Sequence, residues 1–169
     1  RINKGGMIVT GSNVLTINGS FSAGLYQCFD TVTTKVLFGG DAVREVYPQW
    51  FGALGDGSND DTVAVQAALT SHSRTFFPAG EYKITATLTC THAVLLEGVA
   101  HPSSSGPTPY QSVLTHAFDG TFLSFTGSEA SRYGGGGGLR HLQPYNTCGT
   151  AGTAYGTAIQ LLFAGTALR

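Results

Sequence analysis

The apolar residues of this chain come in short bursts, and none of the bursts is long enough for a conventional helix. Met7-Ile8-Val9, Val14-Leu15-Thr16-Ile17, Tyr26 to Phe29, Val36-Leu37-Phe38, Thr75-Phe76-Phe77 and Tyr82-Lys83-Ile84 set the pattern. Val94-Leu95-Leu96, Val113-Leu114, Phe122 to Phe125, Leu139 to Leu142 and Ala158 to Phe163 continue it. Each is of strand length and is bounded by Gly, Asn, Ser or Thr. The pattern predicts an all-β fold. Its spacing says more. Phe76, Leu95 and Leu114 are evenly spaced, and Leu139 to Ile159 is nearly the same step. The longer step from Leu114 to Leu139 contains the glycine run Gly134 to Gly138. A period of about 20 residues that tolerates insertions predicts a solenoid, each coil laying its strands on the last. A β-sandwich also spaces short strands regularly, so the repeat alone leaves both architectures open.

One segment departs from the strand grammar. Asn59-Asp60-Asp61-Thr62 opens Val63 to Thr70, in which Val65, Ala68 and Leu69 fall on one helical face. Asn59 or Asp60 is expected to act as N-cap, and the next carboxylate sits at the positive end of the helix dipole. A short, alanine-rich helix among strands is held only by packing. Its natural place is over the open end of a strand stack, where it covers apolar core and unpaired edges. Gly55-Asp56-Gly57-Ser58 and Pro78-Ala79-Gly80 read as tight turns, and Pro102 to Pro109 and Gly134 to Gly138 as loops.

Composition removes several function classes. The nine Lys and Arg are scattered, which argues against phosphate-driven nucleic-acid binding. No apolar run approaches the ~20 residues of a transmembrane helix, so membrane insertion is not expected. Cys28, Cys90 and Cys148 are odd in number and far apart, neither a disulfide framework nor a zinc pattern, and are expected to be free buried thiols. No signal peptide is visible. The first and last residues, both Arg, lead us to expect a piece of a longer polypeptide.

The stretch Tyr47-Pro48-Gln49-Trp50-Phe51-Gly52-Ala53-Leu54-Gly55-Asp56-Gly57-Ser58-Asn59-Asp60-Asp61-Thr62 is far more specific than its parts. With Val65-Gln66-Ala67-Ala68-Leu69 and Phe77-Pro78-Ala79-Gly80-Glu81-Tyr82-Lys83-Ile84, it resembles the entrance to a right-handed parallel β-helix of the pectate-lyase-like superfamily, and most of all that of bacteriophage tailspikes. Leu15 to Gly19 and Gln27 to Asp30 resemble the segment ahead of such an entrance. Leu96 to Val99, Phe118 to Phe122 and Gly136 to Leu142 resemble early coils. The resemblance implies three parts: N-terminal strands or pre-coils over 1–46, the entrance motif and capping helix over 47–74, and the first β-helix coils over 75–169. It makes Trp50, Phe51, Gly52, Gly55, Asp56, Gly57, Asp60, Asp61 and Thr62 a structural entrance motif. Trp50 and Phe51 would be apolar plugs where the chain enters the stack, and the glycines would allow turns that a Cβ hinders.

Sugar cleavage commonly needs two facing carboxylates. Asp60 and Asp61 are adjacent but sit at a helix start, where capping is their expected work. Asp56 lies in a turn, and Glu81, Glu97 and Asp119 border strands as expected turn-edge residues. The five histidines lack metal-ligand spacing. No Gly-x-Ser-x-Gly appears, and Gly134 to Gly138 neither opens a helix nor precedes Lys-Ser/Thr. No catalytic residue, cofactor or metal is therefore expected within these residues. Relatives that act on polysaccharides carry their acids and bases on middle coils, which would follow residue 169. The resemblance thus implies the N-terminal part of a homotrimeric tailspike in a virion tail, assembled in the host cytoplasm. It would contact other tail proteins and, through the full-length protein, bacterial surface polysaccharide. The alternatives are a fragment of a bacterial polygalacturonase-like or uronate-lyase-like enzyme, and a purely structural tail protein.

Overall fold

The computed structural model describes residues 2–9, 11–30, 35–100, 110–127, 138–146 and 159–163. Twelve short strands and one α-helix make up the regular structure of these residues. In chain order they are β1 (Val14–Ile17), β2 (Lys35–Phe38), β3 (Asp56–Asp60), α1 (Thr62–Ser71), β4 (Arg74–Phe77), β5 (Gly80–Ile84) and β6 (Leu88–Cys90). Then come β7 (Leu95–Gly98), β8 (Ser112–His116), β9 (Leu123–Gly127), β10 (Gly138–Arg140), β11 (Gln143–Asn146) and β12 (Ile159–Phe163). A 3-10 turn at Pro48–Phe51 precedes β3. Pro48 stands at its first turn, where a missing N–H costs nothing.

Every strand pairing is parallel. One sheet has the order β10-β7-β4, a second β11-β8-β5-β3, and a third β12-β9-β6. From β4 onward the chain visits these three sheets in the same cyclic order three times. Parallel strands require crossovers, and here each crossover is itself made of strands and corners. Pro78-Ala79 makes the first corner, between β4 and β5. β4, β6 and β7 alternate buried and half-buried residues, one face pointing inward, whereas all five residues of β8 are buried. Phe77, Tyr82, Ile84, Leu88, Leu96, Leu114 and Leu123 fill the space between. Burying one such side chain stabilises by about 1.5–3 kcal/mol.

The expected even period is corrected by the registers. Thr75 pairs with Leu96, a step close to the expected one, but Glu81 pairs with Val113 and Leu88 with Leu123, which are much longer steps. Leu95 and Leu114, evenly spaced in sequence, lie on different sheets. The apparent period mixed neighbouring faces of successive coils, because each corner carries a different insertion.

Residues ahead of the entrance obey a stricter rule. Ile8 pairs with Phe29, β1 pairs with β2 from Val14 opposite Lys35, and the Phe21 N–H donates to the Ala42 carbonyl at 2.9 Å, all three at the same sequence separation. Val46 then bridges to Thr75 of β4. Phe21, Phe29, Phe38, Trp50 and Phe51 form one aromatic cluster with centroids 5.1–6.0 Å apart, the edge-on and offset range.

Two further expectations need correction. Gly55 to Ser58 is no simple turn: Asp56–Asp60 is a strand whose pairing with β5 slips between Asp56 and Asp60, a bulged edge. The helix is not an outermost lid either. It contacts β4 and β6 on the stack side and also β2 and the 3-10 turn. The loops expected at 102–109 and 134–137, and Cys148, lie outside the described residues. Cys28 and Cys90 are buried free thiols, and burial pushes both up to about 12.

Candidate functional site

The residues of the entrance converge on Asp61. This residue is 2% exposed, and its carboxylate accepts the Leu54 N–H at 2.7 Å and the Gly55 N–H at 3.1 Å. Its own N–H donates to the Lys83 carbonyl at 2.9 Å, and its carbonyl accepts the first helical N–H, from Val65. One residue therefore ties the loop leaving the 3-10 turn, the edge of β5 and the start of α1. Asp61 is the N-cap residue, but its side chain reaches back to the loop instead of capping the helix. Asp60 takes part of the capping role, accepting the Thr62 N–H at 2.9 Å and the Thr85 hydroxyl at 2.6 Å. Asp56 folds its own segment, accepting the Ser58 and Asn59 N–H groups at 2.9 Å.

These partners set the acidity of the three carboxyls. Hydrogen bonds from Asn59 and Ser58 hold Asp56 below the usual carboxylate range. Burial pushes Asp60 up, but bonds from Thr62 and Thr85 outweigh it and leave Asp60 lowered. Burial raises Asp61; its two amide donors do not offset that, and the charges of Asp56 and Asp60 add to the rise. Both Asp61 oxygens are occupied by main-chain donors, so this carboxyl has no free face for a substrate.

The aromatic and glycine positions surround this joint. Trp50 and Phe51 are buried, with the Trp50 indole N–H donating to the Gly24 carbonyl at 2.9 Å. Gly52 closes the 3-10 turn at φ +99°, a left-handed position. Gly55, at φ +62°, leaves room for the Tyr82 ring, and Gly57 stands beside the Glu81 side chain. The Tyr82 hydroxyl donates to the Pro78 carbonyl at 2.9 Å and accepts from Gln49 Nε2 at 2.7 Å, and burial pushes it up to about 12.

Two residues of α1 do what the apolar pattern did not predict. Gln66 Nε2 donates to the Thr89 carbonyl at 2.8 Å, while Gln66 Oε1 accepts the Thr89 N–H at 2.8 Å. Thr62 Oγ1 accepts the Thr85 N–H at 2.8 Å. Side chains of the helix thereby satisfy main-chain groups of Thr85, just after β5, and of Thr89 on β6, which has no strand on its other side among the described residues. The sequence signal was present only as polar residues on a helix otherwise built of Ala, Val and Leu.

Glu97 and Glu81 are engaged elsewhere, and Asp119 stands near His116. Glu97 pairs with Arg74 Nη2 and lies 3.8 Å from Arg140, while Glu45 lies 3.6 Å from Arg74 Nε. Glu81 accepts the Thr115 hydroxyl at 2.6 Å. Glu45 and Glu97 are thus both held by the Arg74 guanidinium. A groove of about 350 Å³ runs along α1 between Lys35, Val36, Thr62, Gln66, Thr70 and Thr87. Thr62, Gln66 and Thr70 already bond within the protein, so it reads as a seam between helix and strands. Among the described residues no group of three or more His, Cys, Asp or Glu is placed to hold a metal, and no helix is long and apolar enough to cross a membrane.

A family model described as rhamnogalacturonase A/epimerase, pectate lyase-like matches residues 44–135. A capsule K30/K69-specific depolymerase of Klebsiella phage K64-1 is 34% identical over 92 residues, which are 52% of this chain and 12% of that relative. The chain thus spans about an eighth of the curated relative's length. No solved structure matches it. The resemblance drawn from residues 47–84, to pectate-lyase-like phage proteins, is borne out by both matches.

Proposed function

The chain belongs to the rhamnogalacturonase A/epimerase, pectate lyase-like family, and from that premise we propose that it is the N-terminal part of a phage tailspike whose β-helix recognises bacterial capsule polysaccharide. The observation that carries the proposal is the coincidence of two things over one stretch. The segment containing the entrance joint and the first cyclic passes through three parallel sheets is the segment that a family model matches. A phage capsule depolymerase matches about half of the chain. The winding is right-handed in this reading, the hand that parallel crossovers adopt in nearly all proteins. Residues 2–46, the entrance motif and α1 align and close the start of the β-helix. Trp50, Phe51, Gly52, Gly55, Asp56, Gly57, Asp60, Asp61 and Thr62 serve that architecture and not catalysis.

The full-length protein works as a homotrimer in the virion tail, held by other tail proteins. Its polysaccharide-cleaving groups lie on coils after residue 169, a reading supported by Asp60, Asp61, Glu81 and Glu97 already bonding within the protein. The test is direct. Full-length protein is incubated with purified capsular polysaccharide, and new reducing ends and unsaturated uronate absorbance are followed, with mass in solution measured by light scattering. Release of oligosaccharide by a species of three subunits is expected. Loss of release on Asp61→Asn in a protein that remains folded would assign Asp61 to catalysis and overturn the structural role.

A further inference from the structure

The first coil, residues 2–24, is built like an interior coil but lacks a neighbour on one side. Its inward residues Ile8, Leu15, Ile17 and Phe21 are only partly buried. Their equivalents one coil later, Phe29, Val36, Phe38 and Ala42, are all buried. The inward residues of the first coil are no less apolar than these; the difference is that no described residue stacks beneath them. The backbone says the same. The Ile8 N–H donates to the Cys28 carbonyl at 2.7 Å, and its carbonyl accepts the Asp30 N–H at 3.0 Å. In a parallel ladder the main-chain groups of the residues on either side then point the other way. Those residues are Met7 and Val9, 55% and 59% exposed, with no ladder partner among the described residues. β1 likewise pairs with β2 alone.

Free edges in natural proteins are blunted by charge, proline or a cover, and terminal solenoid repeats carry a polar outer face. Neither Met7–Val9 nor Val14–Ile17 contains a charge or a proline, and Val14 is 54% exposed. At the start of the main stack, by contrast, Gln66 and Thr62 satisfy the exposed main chain.

We infer that residues 2–24 are an interior coil, and that polypeptide preceding them in the full-length protein supplies one more coil, paired in parallel with Met7–Val9 and β1. The occupant follows from continuity. Three independent contacts, Ile8 with Phe29, Val14 with Lys35 and Phe21 with Ala42, share one sequence offset without a slip. A ladder of that regularity is extended most cheaply by the adjacent stretch of the same chain, whose ends are already held close. This inference rests on the fold and is independent of the polysaccharide reading.

The test is hydrogen exchange of the native full-length protein, read at Met7 and Val9 over a wide range of protein concentration. Both amides are expected to exchange at least ~100-fold more slowly than free-chain amides, at a rate unaffected by dilution. Val9→Pro, which removes an N–H that only a preceding coil would accept, is expected to speed exchange across residues 7–17 at least ~10-fold. Free exchange at Met7 and Val9 would overturn the inference. So would protection that disappears on dilution, which would assign the edge to a second copy or a separate partner.

Discussion

At the residue scale, the entrance turns on which way each carboxylate faces. Asp60 and Asp61 are neighbours in sequence, yet their acidities move in opposite directions. The raised Asp61 means that the folded state binds a proton more readily than the unfolded chain. Its contribution is fully present below the ordinary carboxylate value and is lost as pH rises through the elevated folded value. Asp56 and Asp60 are lowered, so their contributions are present above the ordinary value and are lost as pH falls through the depressed one. Asp61→Asn removes the first of these dependences and leaves one loop N–H facing an amide instead of an oxygen. It is expected to destabilise by about 1–3 kcal/mol at neutral pH. Urea titrations from pH 7 to 4 should show the wild type's advantage over the variant growing as pH falls towards the ordinary carboxylate value; parallel curves would refute the assignment. Gly80 poses a different test, since a Cβ there would lie 2.7 Å from the Gly55 carbonyl oxygen. Gly80→Ala is expected to cost about 1–3 kcal/mol by displacing the bulged edge of β3, seen as a lower denaturation midpoint. The sequence marked Asp56, Asp60 and Asp61 as local, structural residues. It did not reveal that Asp61 bonds backwards to Leu54 and Gly55, because an N-cap carboxylate and a loop anchor have the same one-dimensional signature.

At the element scale, the helix stands in for a missing rung. Val65, Ala68 and Leu69 bury its inner face, as their spacing predicted. Packing alone would leave the first edge of the β6 sheet unpaired, and Gln66 supplies both the donor and the acceptor that Thr89 needs. Gln66→Ala is expected to cost about 1–3 kcal/mol, with faster exchange at the Thr89 amide before any change in β8. Gln66→Glu keeps the acceptor but sets a carboxylate against the Thr89 carbonyl, so it should not rescue the alanine variant. If Thr89 exchange is unchanged in both variants, the edge-satisfying role fails. Strand positions were legible from the apolar bursts, because a two-residue alternation between turn formers has few other solutions. Coil length was not. Strand register depends on corner geometry. The corner between β5 and β6 is far shorter than the connection between β7 and β8, and such differences leave no trace in the period of the apolar runs.

At the scale of the whole molecule, the chain is one continuous apolar column crossed by a seam. The hydrophobic cluster runs from Cys28 and Phe29 through Trp50 and Leu69 to Leu114 and Leu123 without a break. The ladder does break, however. Beyond the Val46–Thr75 bridge, no strand pairing among the described residues joins β1 and β2 to the three sheets; α1 and the 3-10 turn fill the gap. Solenoids gain stability from nearest neighbours, so damage travels only as far as the contacts it removes. A charge placed at Ala68, fully buried in α1, would break the seam while leaving the rungs of β7 and β8 untouched. Ala68→Asp is therefore expected to abolish slow hydrogen exchange in β2, which loses the helix packed against it, and in β1, which pairs with β2. Exchange in β7 and β8, buttressed by β4, β5, β10 and β11, should stay within about tenfold of wild type. The order of opening is set as well: in a chain of residues 1–169 alone, where β1 has no further neighbour, β1 and β2 should open first under mild urea, since there they form a two-stranded sheet, and such sheets are marginal alone. Simultaneous loss across all the strands would mean that the column unfolds as one cooperative block, and that α1 is an internal part of a single core instead of a seam between two stacked bodies.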